Sequence, residues 1–110
     1  MQEIVEALYK EMKDKDKFKQ SIALIQKIQK NIIDNPSEEK YRTIKQQNPK
    51  IKEHITKYFN GLQFLKIIGF QEFYDPQGKE TVLKMPPAVS ISYLKGQKLD
   101  SDAVINAYLL

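Results

Sequence analysis

Apolar positions recur along this chain at helical spacing up to residue 70 and at strand spacing beyond it. Ile4, Leu8 and Met12 stand four apart, with Val5 and Ala7 beside them, which predicts an amphipathic helix over residues 2–12. Lys13-Asp14-Lys15-Asp16 is a polar break, in which Asp14 or Asp16 is suited to cap the next helix. Phe18, Ile22, Ile25, Ile28, Ile32 and Ile33, with Leu24 alongside, predict that second helix, running to about Asp34. It is the longest helix expected, and its wide apolar stripe makes it the support for the elements after it. Asn35-Pro36-Ser37-Glu38 reads as a helix start: an amide to cap an orphan N–H, a proline at the first helical position, and a glutamate three residues past the cap. Asn48-Pro49 repeats the device, and Asn60-Gly61 opens a third short helix holding Leu62, Phe64, Leu65, Ile67 and Ile68, with Gly69 placed to end it. Three short helices joined by sharp corners are therefore expected, and such helices need a common support in water.

After Phe70 the period shortens. Gln71–Tyr74, a turn at Asp75-Pro76-Gln77-Gly78, and Glu80–Met85 predict a hairpin, ended by Pro86-Pro87. A lone hairpin is marginal, so it must lie on the helices or gain a third strand. Val89, Ile91 and Tyr93 alternate as a third strand would, yet residues 88–95 are equally readable as a short helix. Lys95-Gly96-Gln97 is expected as a turn, with Asp100 or Ser101 capping a last helix that carries Val104, Ile105, Tyr108 and Leu109. The fold class this implies is α+β: several short helices packed around a small antiparallel sheet of two to three strands.

A length of 110 residues and 41% hydrophobic content predict one domain, residues 1–110, with a single modest core. No stretch approaches the ~20 apolar residues of a membrane span, and the first residues alternate in charge without the apolar run of a signal peptide. Cysteine is absent, which removes disulfides, thiolate metal sites and cysteine nucleophiles. This fits a cytosolic or nuclear protein. The single histidine, His54, has no second imidazole or thiolate partner, so no metal is expected. Neither a nucleophile elbow nor a phosphate loop is visible, and Glu38-Glu39 suit the first turn of a helix better than an acid–base pair, so neither a cofactor nor catalysis is expected.

The net charge of +4 biases the chain towards acidic partners. Five basic residues and no acid lie between Lys40 and Lys52, and Tyr41 stands among them. On a helix, Tyr41, Ile44 and Lys45 would share one face. A tyrosine set among cations suits a peptide that is both acidic and apolar-ended; the plainer reading is a solvated basic face with Tyr41 half-buried.

The run NIIDNPSEEKYRTIKQQN, the apolar helix ending in IIGF and the hairpin ending in LKMP resemble the PUB domain (also called PUG), found in peptide:N-glycanase, in UBX-containing proteins and in the linear-ubiquitin ligase. The resemblance runs from about Asn31 to Pro86 and is loose over the first and last 20 residues. It implies an α+β docking module rather than an enzyme. The implied partner is the acidic, aromatic-ended C-terminal tail of the AAA ATPase valosin-containing protein, or a short acidic tyrosine-containing motif. The parent protein would then be recruited to ubiquitin- and ERAD-linked processing by a monomeric domain in the cytoplasm. The pocket positions it implies are Asn31, Lys40, Tyr41, Lys45, Asn48, Gly69 and Phe70. Tyr41 offers an aromatic wall, Lys40 and Lys45 face carboxylates, and Asn31 and Asn48 bond ligand backbone. Gly69 permits close approach, while Phe70 either floors the pocket or fills core. Two departures bear on affinity: Lys45 stands where some members carry arginine, so a bidentate fork becomes a point charge, and Pro49 lacks a backbone donor. A second reading is a single-stranded RNA-binding module using Lys40, Arg42, Lys45, Lys50, Lys52 and Lys57 with Tyr41 and Tyr58 as stacking rings. A third is a helical adaptor whose last helix joins a neighbouring domain.

Overall fold

The computed structural model describes residues 2–109. Helix α1 (Gln2–Met12) and helix α2 (Lys15–Asp34) form a helical hairpin around Lys13, whose φ of 56° turns the chain. Asp14 caps α2, its Oδ1 accepting from the N–H groups of Asp16 and Lys17 at 2.9 and 3.1 Å. A 3₁₀ turn (Glu39–Arg42) then leads into strand β1 (Thr43–Lys45). Helix α3 (Pro49–Ile51) widens into a π-helical turn (Lys52–Thr56), and α4 (Phe59–Ile67), β2 (Gln71–Asp75), β3 (Glu80–Lys84) and α5 (Ile91–Leu109) complete the order. The sheet is antiparallel with β3 in the middle, in the order β1-β3-β2. Its register sets Lys84 between Thr43 and Gln71, and Val82 between Lys45 and Phe73.

The core lies between the helices and one face of the sheet. Val5 and Leu8 of α1, Phe18, Ile22, Ile25 and Ile32 of α2, Phe64 and Leu65 of α4, Leu83 of β3 and Leu94 and Ile105 of α5 are all at most 1% exposed. Tyr9, Phe18 and Tyr108 gather where α1, α2 and the end of α5 meet, with ring centroids 5.1 to 6.3 Å apart. The helix ending at Gly69 forms as its residues predict: Gly69 takes φ +125°, and Phe70 N–H donates to Leu65 O at 3.0 Å.

The structure corrects several expectations and decides one that the sequence leaves open. Residues 40–45 are not a helix, so Tyr41, Ile44 and Lys45 share no helical face. Asn35 closes α2 instead of opening a new helix, since its backbone N–H and its Nδ2 both donate to Asn31 O at 3.1 Å. The β-branched pair Thr43-Ile44 then joins the hairpin, where β3 offers unpaired backbone groups that a short helix would leave unused. The third strand is therefore β1, and of the two readings open for residues 88–95 the helical one holds from Ile91 onward. Ile91–Leu109 is one continuous helix through the expected turn at Gly96 and the expected cap at Ser101, which is fully buried and donates its Oγ–H to Lys98 O at 3.1 Å. Finally, α4 starts at Phe59, and its N-terminal N–H groups are met by Glu11 of α1, not by Asn60.

Candidate peptide-docking site

Most of the residues singled out from the sequence lie around the joint between α2 and the sheet. Lys40 and Tyr41 sit on the 3₁₀ turn, which packs on α2 and feeds β1. The Tyr41 ring is half-buried against the hydrophobic core, and Lys40 Nζ stands 5.3 Å from its centroid. A phenol in this position has an apolar side anchored by packing and an outer part open to a ligand.

Lys45 ends β1. Directly opposed residues of an antiparallel pair share a face, so Lys45, Val82 and Phe73 point to one side of the sheet and Ile44 and Leu83 to the other. The latter two are buried against the helices. Lys45 thus projects from the outer face, 3.9 Å from Glu80 Oε1, with 71% of its side chain exposed. So long and exposed a pair has little hold on the ammonium group. Asn48 is tied to Lys45 by its backbone N–H, which donates to Lys45 O at 3.1 Å. Its Oδ1 caps α3, accepting from Lys50 and Ile51 N–H at 3.0 and 3.3 Å. The cap occupies the amide oxygen, so the Nδ2 hydrogens are what Asn48 has to offer a ligand. Asn31 is half-buried on α2, one turn before the loop that carries Lys40 and Tyr41.

Gly69 and Phe70 stand at the Thr43 end of the sheet, beside Met85, whose N–H donates to Arg42 O at 2.8 Å. Phe70 is 1% exposed and belongs to the core; of its two open roles it takes the structural one, supporting the sheet from within. The space a side chain would need at Gly69 is filled by Val89, whose Cγ1 is 3.1 Å from that position. Phe70 is thus the buried member of the set, Gly69 is partly exposed, and Asn31, Lys40, Tyr41, Lys45 and Asn48 carry the side chains open to solvent.

Two basic residues of the RNA reading are engaged within the fold. Arg42 donates from a guanidinium nitrogen to Pro86 O at 3.3 Å, and Lys57 is hydrogen-bonded to Glu53 at 2.9 Å. That bond and the adjacent charge hold the Glu53 carboxyl below the usual carboxylate range and raise the Lys57 ammonium above its own. Tyr58 packs against the core with Lys57 above its ring. Among the described residues no group of three or more His, Cys, Asp or Glu is placed to hold a metal ion, and no helix is long and apolar enough to cross a membrane.

Two features escaped the sequence pattern. Glu11 makes its contacts 48 and 49 positions away, and its only sequence signal is that Tyr58-Phe59 supplies no cap of its own. Phe73 lies open on the outer face of the sheet, 53% exposed, with Lys84 Nζ 4.8 Å from its ring centroid. Strand alternation gives its side of the sheet only once β3 is known to be central.

The chain is a small α+β domain with an aromatic residue beside a cation at a helix–sheet joint, and the family it matches makes it a protein-interaction module. The chain belongs to the PUB domain family, whose model matches residues 15–97. It is similar to UBX domain-containing protein 6 from Bos taurus, 34% identical over 101 residues that cover 84% of this chain and 23% of that protein. The Homo sapiens protein of the same name is 39% identical over 69 residues, covering 63% of this chain and 16% of its own length. The Caenorhabditis elegans one is 31% identical over 71 residues, 64% of this chain and 16% of its own. The chain thus spans less than a quarter of the length of these relatives.

Proposed function

We propose that the domain grips the acidic, aromatic-ended C-terminal tail of the AAA ATPase valosin-containing protein, or a short acidic tyrosine-containing motif like it. By doing so it would bring its parent protein to ubiquitin- and ERAD-linked processing. Membership of the PUB family carries this reading, and the geometry around Tyr41 supports it. The ligand's apolar end stacks on the Tyr41 ring, and acidic residues before it meet Lys40 and Lys45. Asn48 Nδ2 and the Asn31 amide bond ligand backbone. Phe70 acts only as support, because it is covered. Only a handful of ligand residues take part, so a dissociation constant of about 1 μM is the expected order.

Calorimetric titration with a peptide of that tail tests the proposal. Tyr41→Ala and Lys45→Glu are each expected to weaken binding at least about tenfold, a loss of ~1.4 kcal/mol, with the circular dichroism spectrum unchanged. Wild-type affinity in both variants would place the ligand elsewhere.

The RNA reading keeps no comparable support, since Arg42 and Lys57 are already engaged within the fold. Binding to oligouridylate with a steep salt slope would revive it.

A further inference from the structure

Between α2 and the α3–π segment runs a groove of about 350 Å³, lined by Gln20, Ala23, Leu24 and Lys27 on one side and Lys50 and His54 on the other. Its apolar lining comes from the exposed Ala23 and the half-buried Leu24, and its other lining residues are neutral or basic. Lys27 and Asn31 lie four apart on one face of α2, and Lys50 follows two residues after the α3 cap Asn48. The groove therefore continues from two of the residues assigned to the docking site. Glu53, which precedes His54, has its carboxylate tied chiefly to Lys57 at 2.9 Å and faces His54 only as a lesser charge, so Lys27 and Lys50 are the rim's main cations.

We propose that this groove is a second subsite, resting on the tail-docking reading above, which holds the acidic stretch of the same peptide ligand. Small or apolar ligand side chains face Ala23 and Leu24, while carboxylates on either side meet Lys27 on one rim and Lys50 and His54 on the other. Tyr41, Lys40 and Lys45 then select the end of the ligand and the acidic residues next to it, and the groove selects for acidic residues further before that end. An extended chain suits the groove because successive side chains alternate between floor and rim. The rim charges are exposed, so their contribution falls as salt rises.

The test uses two synthetic peptides of equal length. In one, a run of aspartates precedes an apolar aromatic carboxyl end; in the other, asparagines replace the aspartates. Each is titrated into the wild-type chain and into the Lys27→Glu/Lys50→Glu variant, with thermal unfolding checked for both proteins. The wild type is expected to bind the aspartate peptide about tenfold more tightly than the asparagine peptide, and the variant to keep only the smaller preference that Lys40 and Lys45 supply, while binding the asparagine peptide as before. As a readout independent of any variant, the amide signals of Ala23, Leu24 and Lys27 and the imidazole signals of His54 should move with the aspartate peptide and stay still with the asparagine peptide. A wild type that prefers aspartate, with a variant that keeps the full preference and no shift in these signals, overturns the subsite and leaves the tail reading standing. Failure of both peptides to bind the wild type overturns both readings. Tighter binding of oligouridylate at the same signals overturns the subsite in favour of a nucleic-acid groove.

Discussion

Glu11 joins two helices that share no sequence neighbourhood. Its carboxylate accepts from Phe59 N–H at 2.9 Å and from Asn60 N–H at 2.8 Å, and also from Asn60 Nδ2 at 3.0 Å. These are orphan donors of the first turn of α4, which Tyr58 does not cap. A carboxylate there also opposes the positive end of the helix dipole. Glu11→Ala should therefore lower stability by ~1–2 kcal/mol, measured by urea unfolding, with Glu11→Gln losing part of that. An unchanged midpoint would contradict this role. Two glycines give opposite expectations. A Cβ on Gly61 would lie 2.2 Å from Ile55 O, so Gly61→Ala must push α4 away from the π turn and should cost roughly 1–3 kcal/mol. Gly96 sits inside α5 with nothing within 4 Å of the added atom, so Gly96→Ala should stabilise by ~1 kcal/mol. A differential scanning calorimetry trace of each variant checks both signs.

Among the elements, α1 and the far end of α5 contribute to one core with the family-matched segment. Val5, Leu8 and Met12 of α1 are at most 7% exposed, and Tyr108 of α5 meets Tyr9 and Phe18. The family model covers residues 15–97, so these pieces lie outside it. A chain trimmed to residues 15–97 is expected to leave Phe18 and Ile25 uncovered and to lose cooperative unfolding, which the near-ultraviolet dichroism of the trimmed chain would report. A sharp two-state transition equal to that of the whole chain would contradict this. The elements also differ in how far the sequence made them readable. α1, α2, the Asn48 cap, the stop at Gly69 and the β2–β3 hairpin arise from local periodicity and capping, and they form where expected. β1 and α5 do not arise in that way. The Asn35-Pro36 signature marks a helix end as well as a helix start, and only long-range pairing with β3 decides the state of Thr43–Lys45. In α5, burial of Leu94, Ser101 and Ile105 outweighs the cost of Gly96 in mid-helix.

For the whole molecule, the arrangement presents a cationic, aromatic joint on a rigid support. α2 runs behind the 3₁₀ turn and the α3–π segment, and the sheet holds the turn through the bond from Met85 N–H to Arg42 O. The candidate site was legible as residue types and only partly as geometry. Tyr41 beside Lys40 survives the change from helix to 3₁₀ turn because the two are adjacent in sequence. The expected grouping of Tyr41 with Lys45 depended on a helix that does not form, and Lys45 instead projects from the outer face of the sheet beside Glu80. Phe70 and Gly69 were readable as special positions, but the burial of Phe70 and the packing of Val89 and Met85 against Gly69 need the fold. The central claim is that Tyr41 and its flanking lysines receive the end of an acidic chain. The most direct measurement is calorimetric titration of the wild type and Tyr41→Ala with an acidic peptide having an aromatic carboxyl end. Binding of about micromolar strength is predicted in the wild type, with its loss in Tyr41→Ala at unchanged thermal stability; equal affinity in the two proteins would contradict the claim.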